Sequence, residues 1–201
     1  MKRIIRFHWL WFVVALLQMG FGLEERQGDI LRFEISDGDT PIGEIQATRQ
    51  VLGDHVVLHV VSTTKVKRLV TLTIEFEGMI EYKKGRMVRS EHVTQVNGYK
   101  HGETSSVWQG DHYRIYQDGE EKLLSSSVHY SGSLMYFLEP EYHGIVFSEK
   151  EGEFDPIVRV GEGQYIVEKS DGTRHTFTYH DGELQQIEYP HRMMDVVVRR
   201  K

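Results

Sequence analysis

Acidic side chains crowd one stretch of the chain: Glu139, Glu141, Glu149, Glu151, Glu153 and Asp155. Paired carboxylates suit glycoside hydrolysis, one acting as acid and the other as nucleophile or base. Clustered carboxylates also ligate calcium. Calcium loops carry Asp-x-Asp-x-Asp-Gly, and no such run occurs here. A solvated acidic loop is the default for such a cluster. The chain also holds 11 histidines. His55 and His59 have the i,i+4 spacing of a helical zinc pair. Their surroundings read as a strand, which would hold them about 13 Å apart, too far to share a zinc ion. His175 meets Tyr179 and a carboxylate only if the tertiary fold brings them together.

Nucleophile motifs give less. Ser62-Thr63-Thr64-Lys65 matches Ser-x-x-Lys, but that motif needs a helix start and companion motifs downstream. Here it reads as a junction between strands, with neither Ser-Asp-Asn nor Lys-Thr-Gly. No Gly-x-Ser-x-Gly elbow is present. Gly161-Glu162-Gly163 lacks the third glycine of a dinucleotide loop and reads as a turn. No catalytic residue, metal ligand or cofactor is therefore assigned from motifs.

The elements that must position these groups have a period of two. Leu31, Phe33 and Ile35 alternate with polar residues. So do Val70, Leu72, Ile74 and Phe76, and His175, Phe177 and Tyr179. Each such run predicts a strand with one wet face. Asp37-Gly38, Gly53-Asp54, Lys84-Gly85, Asn97-Gly98, Gly110-Asp111, Asp118-Gly119, Asp171-Gly172 and Asp181-Gly182 are the turn signals between runs. The expected fold is all-β: an antiparallel meander of roughly ten to twelve strands, forming a curved sheet or half-barrel. Ser131–Pro140 breaks the alternation. Leu134, Phe137 and Leu138 share a helical face, Ser131 is placed to cap it and Pro140 to stop it, so one short helix is predicted there. Tyr130, Tyr136, Phe137, Tyr142 and Phe147 crowd around it, either as a plug sealing the sheet or as the mouth of an apolar pocket.

The first two dozen residues read as a leader. Lys2, Arg3 and Arg6 precede the apolar run Trp9–Leu17, and Gly20 and Gly22 stand at −3 and −1 of a cut before Leu23. Gln18 interrupts the run earlier than a membrane span would allow. The expectation is a signal peptide over 1–22, a single β domain over 23–201, and export to the periplasm or beyond. Cleavage removes three of the 24 basic residues and none of the 30 acidic ones, moving the formal net charge from −6 to −9. Such a chain repels phosphate backbones and anionic membranes, so neither is an expected partner. There are no cysteines, which removes disulfides, thiol nucleophiles and a lipidated N-terminus.

One stretch carries a family resemblance. "YSGSLMYFLEP" (130–140), "VFSEKEGEFDPI" (146–157) and "VGEGQYIVEKSDGTRHTFTYHDGEL" (160–184), with "GEIQATRQVLGDHVVLHVVSTTKVK" (43–67) upstream, resemble a family of uncharacterised exported proteins, largely from Bacteroidetes, named as a domain of unknown function. The resemblance implies a curved sheet broadly similar to envelope β-proteins, and no activity. It directs attention to Tyr136, Phe137 and Glu139, and to Phe147, Ser148 and Glu149, as ligand-binding residues. Together these features suggest a non-enzymatic envelope protein that binds an apolar or amphipathic molecule, or a partner chain, on a concave sheet. The alternatives are an exported hydrolase using carboxylates or His175, and an assembly module with exposed strand edges.

Overall fold

Asp-Gly, Asn-Gly and Lys-Gly pairs let a chain reverse within two residues, and in the computed structural model they do so repeatedly. Lys84, Asn97, Asp118 and Asp181 all have positive φ, between 50° and 52°, each followed by a glycine. The structure describes residues 27–67, 70–191 and 194–201. The proposed leader, residues 1–22, lies outside them.

The strands are β1 (Gln27–Asp37), β2 (Thr40–Leu52), β3 (His55–Lys67), β4 (Thr71–Lys83), β5 (Arg86–Val96), β6 (Tyr99–Trp108), β7 (Tyr113–Gln117), β8 (Glu120–Leu124), β9 (Ile145–Ser148), β10 (Glu153–Gly161), β11 (Gln164–Glu168), β12 (Arg174–His180), β13 (Glu183–His191) and β14 (Met194–Arg200). They form one 14-stranded antiparallel sheet in the order 8-7-6-5-4-3-2-1-14-13-12-11-10-9. Every neighbour is a hairpin partner except β1 and β14, which pair through Phe33–Asp37 and Val196–Arg200. The meander thus runs outward from that seam in both directions. The strand number exceeds the ten to twelve expected, because β7, β8, β9 and β11 are only four or five residues long.

The sheet is curved and unclosed, with β8 and β9 at its two ends. Both edges are short, which limits pairing with other chains. Side chains bridge the gap where strand hydrogen bonds do not. Thr104 Oγ1 on β6 donates to Lys150 O at 2.6 Å, and Lys122 Nζ on β8 donates to Glu151 O at 2.6 Å. Both acceptors belong to the turn joining β9 to β10. Gly152 in that turn has φ +63°, and a Cβ there would lie 2.8 Å from Ile115 Cγ2. Only glycine permits both the backbone angle and the close approach.

Inward residues of the strands form the core, Phe33, Leu58, Ile80, Ile115 and Ile187 each being no more than 1% exposed. The segment between β8 and β9 completes it. Val128, Tyr130, Leu134 and Met135 are buried, and tyrosines of the surrounding strands grip the segment. Tyr113 Oη donates to Met87 O and accepts from Val128 N. Tyr82 Oη donates to Ser131 Oγ at 2.7 Å, and Tyr179 Oη to Met135 O at 2.7 Å. The helix expected here is a single 3₁₀ turn, Gly132–Tyr136. Ser131 makes no side-chain cap, and its Oγ instead accepts the Tyr82 hydroxyl. Phe137 N and Leu138 N both bond to Leu134 O, but only Leu134 of the three is buried and Leu138 is exposed. This segment is a plug on the inner face of the sheet.

Candidate functional site

The plug does not fill the interior. Beside it lies a cavity of about 390 Å³, within the range of small-molecule sites. Its apolar wall includes Phe76, Met135, Phe147, Val167 and Phe177. Its polar lining carries His92, Ser148, Glu149, Glu151, Asp155, Lys169 and His175.

Three segments carry most of the polar lining. The first, between β9 and β10, carries Glu149 and Glu151 and is fastened to β6 and β8 as described above. Glu149 is 5% exposed, and its Oε1 accepts Ser133 N–H at 2.9 Å, tying the turn to the plug. The second is the bend within β10. Glu153–Pro156 pair with β9, whereas Ile157–Gly161 pair with β11. Pro156 sits at the changeover, where its missing N–H costs no ladder bond. Asp155, just before it, is 3% exposed. The third is the turn after β11, closed by Lys169 N→Thr173 O and by Asp171, which accepts both Thr173 N and Thr173 Oγ1. It aims Lys169 back over Asp155.

Lys169 Nζ lies 2.5 Å from Asp155 Oδ2, 3.1 Å from Glu151 Oε2 and 3.2 Å from Ser148 Oγ. These three bonds use all three ammonium protons. Ser148 Oγ donates to Glu151 Oε2. Burial raises the Asp155 carboxyl above its ordinary value, against the pull of Lys169. Burial pushes Glu151 the same way, but the Ser148 hydrogen bond and the Lys169 charge outweigh it and hold the group low. Burial pulls Lys169 down, and its bonds and charges from Asp155 and Glu151 overcome this and hold it high.

This arrangement limits the chemistry. A serine–lysine pair needs a neutral lysine as base. Lys169 is held charged by two carboxylates, and Ser148 already gives its proton to Glu151. His175 does not complete a charge relay. Its ring meets Tyr189 edge-on at 4.6 Å, and burial, then Lys169, lower its pKa.

His92 is the residue that sequence reasoning missed. It lies on β5 opposite Gly78 of β4 and is 4% exposed. Neither ring nitrogen has a hydrogen-bond partner. Burial lowers its pKa and keeps the imidazole neutral. Phe76 covers it at 5.3 Å between ring centroids. A Cβ on Gly78 would lie 2.6 Å from His92 Cε1, so glycine there leaves room for the ring.

Of the residues singled out from sequence, Tyr136, Phe147, Ser148 and Glu149 line the cavity. Phe137 and Glu139 do not. Phe137 lies under the Arg49 guanidinium, 5.1 Å from its carbon, and Glu139 accepts the Tyr165 hydroxyl at 2.8 Å. The solvated acidic loop expected at 139–155 is corrected for Glu149 and Asp155, which are buried, while Glu141 is exposed. His55 and His59 lie on β3 beside Glu81 and Glu77 of β4, away from the cavity. Ser62–Lys65 lies within β3 rather than between strands. Among the described residues no group of three or more His, Asp or Glu could hold a metal ion.

A family model described as "Domain of unknown function (DUF6134)" matches residues 33–201. No curated protein matches the chain. Among solved structures, the chain is similar to a beta-barrel-like protein of domain of unknown function DUF1849 from Brucella abortus. The identity is 10% and the TM-score 0.56, over 88% of this chain and 95% of that chain. At that identity the likeness concerns the fold alone.

Proposed function

We propose that this chain, which belongs to the DUF6134 family, is a non-enzymatic envelope protein that binds a small amphipathic molecule inside its sheet. The observation that carries this reading is the cavity of about 390 Å³ lined by both apolar and polar side chains. An empty apolar void would only cost packing energy. Here the polar lining is brought together from strands and turns distant in sequence, and one buried imidazole in it has both nitrogens unspent. Buried polar groups are normally paired, so such an exception asks for a partner from outside the chain.

The leader proposed from sequence fits the same role. The protein would be exported, cut after Gly22, and would meet its ligand in the envelope. Native mass spectrometry of protein purified from its own envelope tests the binding. The expected result is a retained small molecule, released on denaturation. A consistently empty protein, with unfolding unmoved by apolar or amphipathic additives, refutes it. Mass spectrometry of the N-terminus tests export, and a mature chain starting at Met1 removes that half of the proposal.

Hydrolysis is the second reading, and one observation favours it: Glu151 and Asp155 converge on one cavity with pKa values displaced in opposite directions. Such divergence often marks acid–base pairs. Lys169 bonds to both carboxylates and fills the space between them, so we place this reading second. Turnover of generic ester or glycoside substrates that Asp155→Asn abolishes would reverse the order.

A further inference from the structure

We infer that the molecule bound in this cavity is a cation: an amphipathic organic ammonium ion, its N–H groups against His92 and the carboxylate wall and its apolar part against Phe76, Met135 and Phe147. This rests on the binding reading above and adds the charge of the ligand to it.

An unpartnered imidazole and the charge balance of the polar lining carry this inference. His92 is 4% exposed, and both ring nitrogens are without a partner. A neutral imidazole presents one acceptor nitrogen, which needs a donor, and one N–H, which needs an acceptor, so the ring asks for a polar partner and the surrounding charges decide its sign. Glu149, Glu151 and Asp155 bring three carboxylates to the cavity. Facing them is Lys169, whose three protons are already given to Asp155, Glu151 and Ser148. Lys150 is largely exposed, and its Nζ lies 3.8 Å from Glu151 Oε1. Three carboxylates thus face Lys169, whose protons are all given, and the largely exposed Lys150, so negative charge is in excess at the cavity. A carboxylate or phosphate head would bury a further anion among three carboxylates, which is costly. An ammonium head would supply donors to His92 and neutralise part of the wall, and charge-assisted bonds of this kind are the strong ones. A metal cation is the poorer fit, because no group of three or more His, Asp or Glu among the described residues could hold one.

Three probes with the same alkyl tail isolate the head group: octylammonium, octanol and octanoate. Each is titrated calorimetrically into the purified full chain at pH 7. Octylammonium is expected to bind at least about tenfold more tightly than octanol, a gap of about 1.4 kcal/mol, with octanoate weakest. Octanoate or octanol binding as tightly as octylammonium overturns the charge inference and leaves the amphipathic-ligand reading standing. No binding by any of the three overturns both. His92→Phe removes the ring nitrogens in a similar volume, and Glu149→Gln keeps an oxygen for Ser133 N–H while removing the charge. Each is expected to weaken octylammonium about tenfold and octanol less than about twofold. Octanol binding also reports that the variant is folded. Equal weakening of both probes in both variants overturns the inference.

Discussion

Replacing Lys169 with methionine tests whether the polar wall depends on one ammonium group. In the wild type, Lys169 Nζ lies 2.5 Å from Asp155 Oδ2, with side-chain exposures of 14% and 4%. Methionine keeps most of the stem volume and leaves Asp155 buried without its cation. Removing one partner of a buried pair costs about 3–5 kcal/mol. At about 2–4 °C per kcal/mol for a chain of this size, the melting temperature at pH 7 falls by about 6–20 °C.

The pH dependence has a definite sign. Lys169 supplies both influences that lower the Asp155 pKa, while burial and the charges of Glu151 and Glu153 raise it. In the variant the folded-state pKa climbs further above the ordinary value of 3.8. Between that value and the raised one, the native state holds a proton that the unfolded state releases. Stability then falls as pH rises, by up to about 1.4 kcal/mol per pH unit. Glu151 acts in the same direction. Its lowered pKa gives the wild type stability above the ordinary value of 4.5, lost as pH falls through the folded value, and the variant forfeits the part due to Lys169. The deficit of Lys169→Met is therefore largest at neutral pH and narrows towards pH 4. Urea unfolding from pH 4 to pH 8, followed by circular dichroism, measures it. Adding Asp155→Asn to the variant removes the stranded charge and is expected to recover at least half of the loss at pH 7. A deficit under about 1 kcal/mol at pH 7, or one that does not change with pH, would refute the claim that this wall is a buried ion-pair cluster.

Three further outcomes follow from the plug and the closure. Tyr179→Phe removes the hydroxyl that bonds Met135 O at 2.7 Å and should cost about 1–3 kcal/mol in urea unfolding, whereas Tyr116→Phe, 42% exposed, should stay within about 0.5 kcal/mol; equal effects contradict the tethering role. Gly152→Ala sets a Cβ against Ile115 at φ +63° and should cost about 1–3 kcal/mol, with faster amide exchange in β8 as the closure loosens; unchanged exchange there argues against closure through this turn. Met135→Ala truncates a side chain that is 1% exposed but already faces a void. Its cost should sit near the low end of core truncations, about 2 kcal/mol, and octanol should restore part of it; a variant that octanol does not stabilise speaks against an accessible cavity.

What the sequence made legible was local. The Asp-Gly, Asn-Gly and Lys-Gly turns were readable because positive φ is a property of one or two residues, and the structure turns at each of them. The alternation of Phe33 and Ile35 marked a strand, but not that its partner would be β14, more than 160 residues away. The acidic stretch looked uniform. Glu149 and Asp155 became distinct from Glu141 only through Ser133 N and Lys169, partners that no spacing rule supplies. Val70 opened an apparent half-buried run, yet it lies outside β4 and is 66% exposed.

His92 shows why the rest was hidden. Period-two reasoning assigns faces by parity, so Met87, Arg89 and Glu91 should share one side of β5, and Val88, Ser90 and His92 the other. The structure buries Met87, Ser90 and His92. The pairing with β4 passes from Glu81↔Arg89 to Tyr82↔Met87 and leaves Val88 unpaired. One extra residue in the strand switches the parity. Met87 then packs in the core at one end, while Ser90 and His92 turn inward beyond the bulge. The same bulge that defeats the sequence pattern delivers an imidazole to the cavity, opposite the one β4 residue, Gly78, with no side chain to exclude it. A strand selected only for packing would carry an apolar residue at that position. A polar residue brought inward by a bulge and given room by a glycine is a local departure from fold consistency, and it supports the binding reading proposed above.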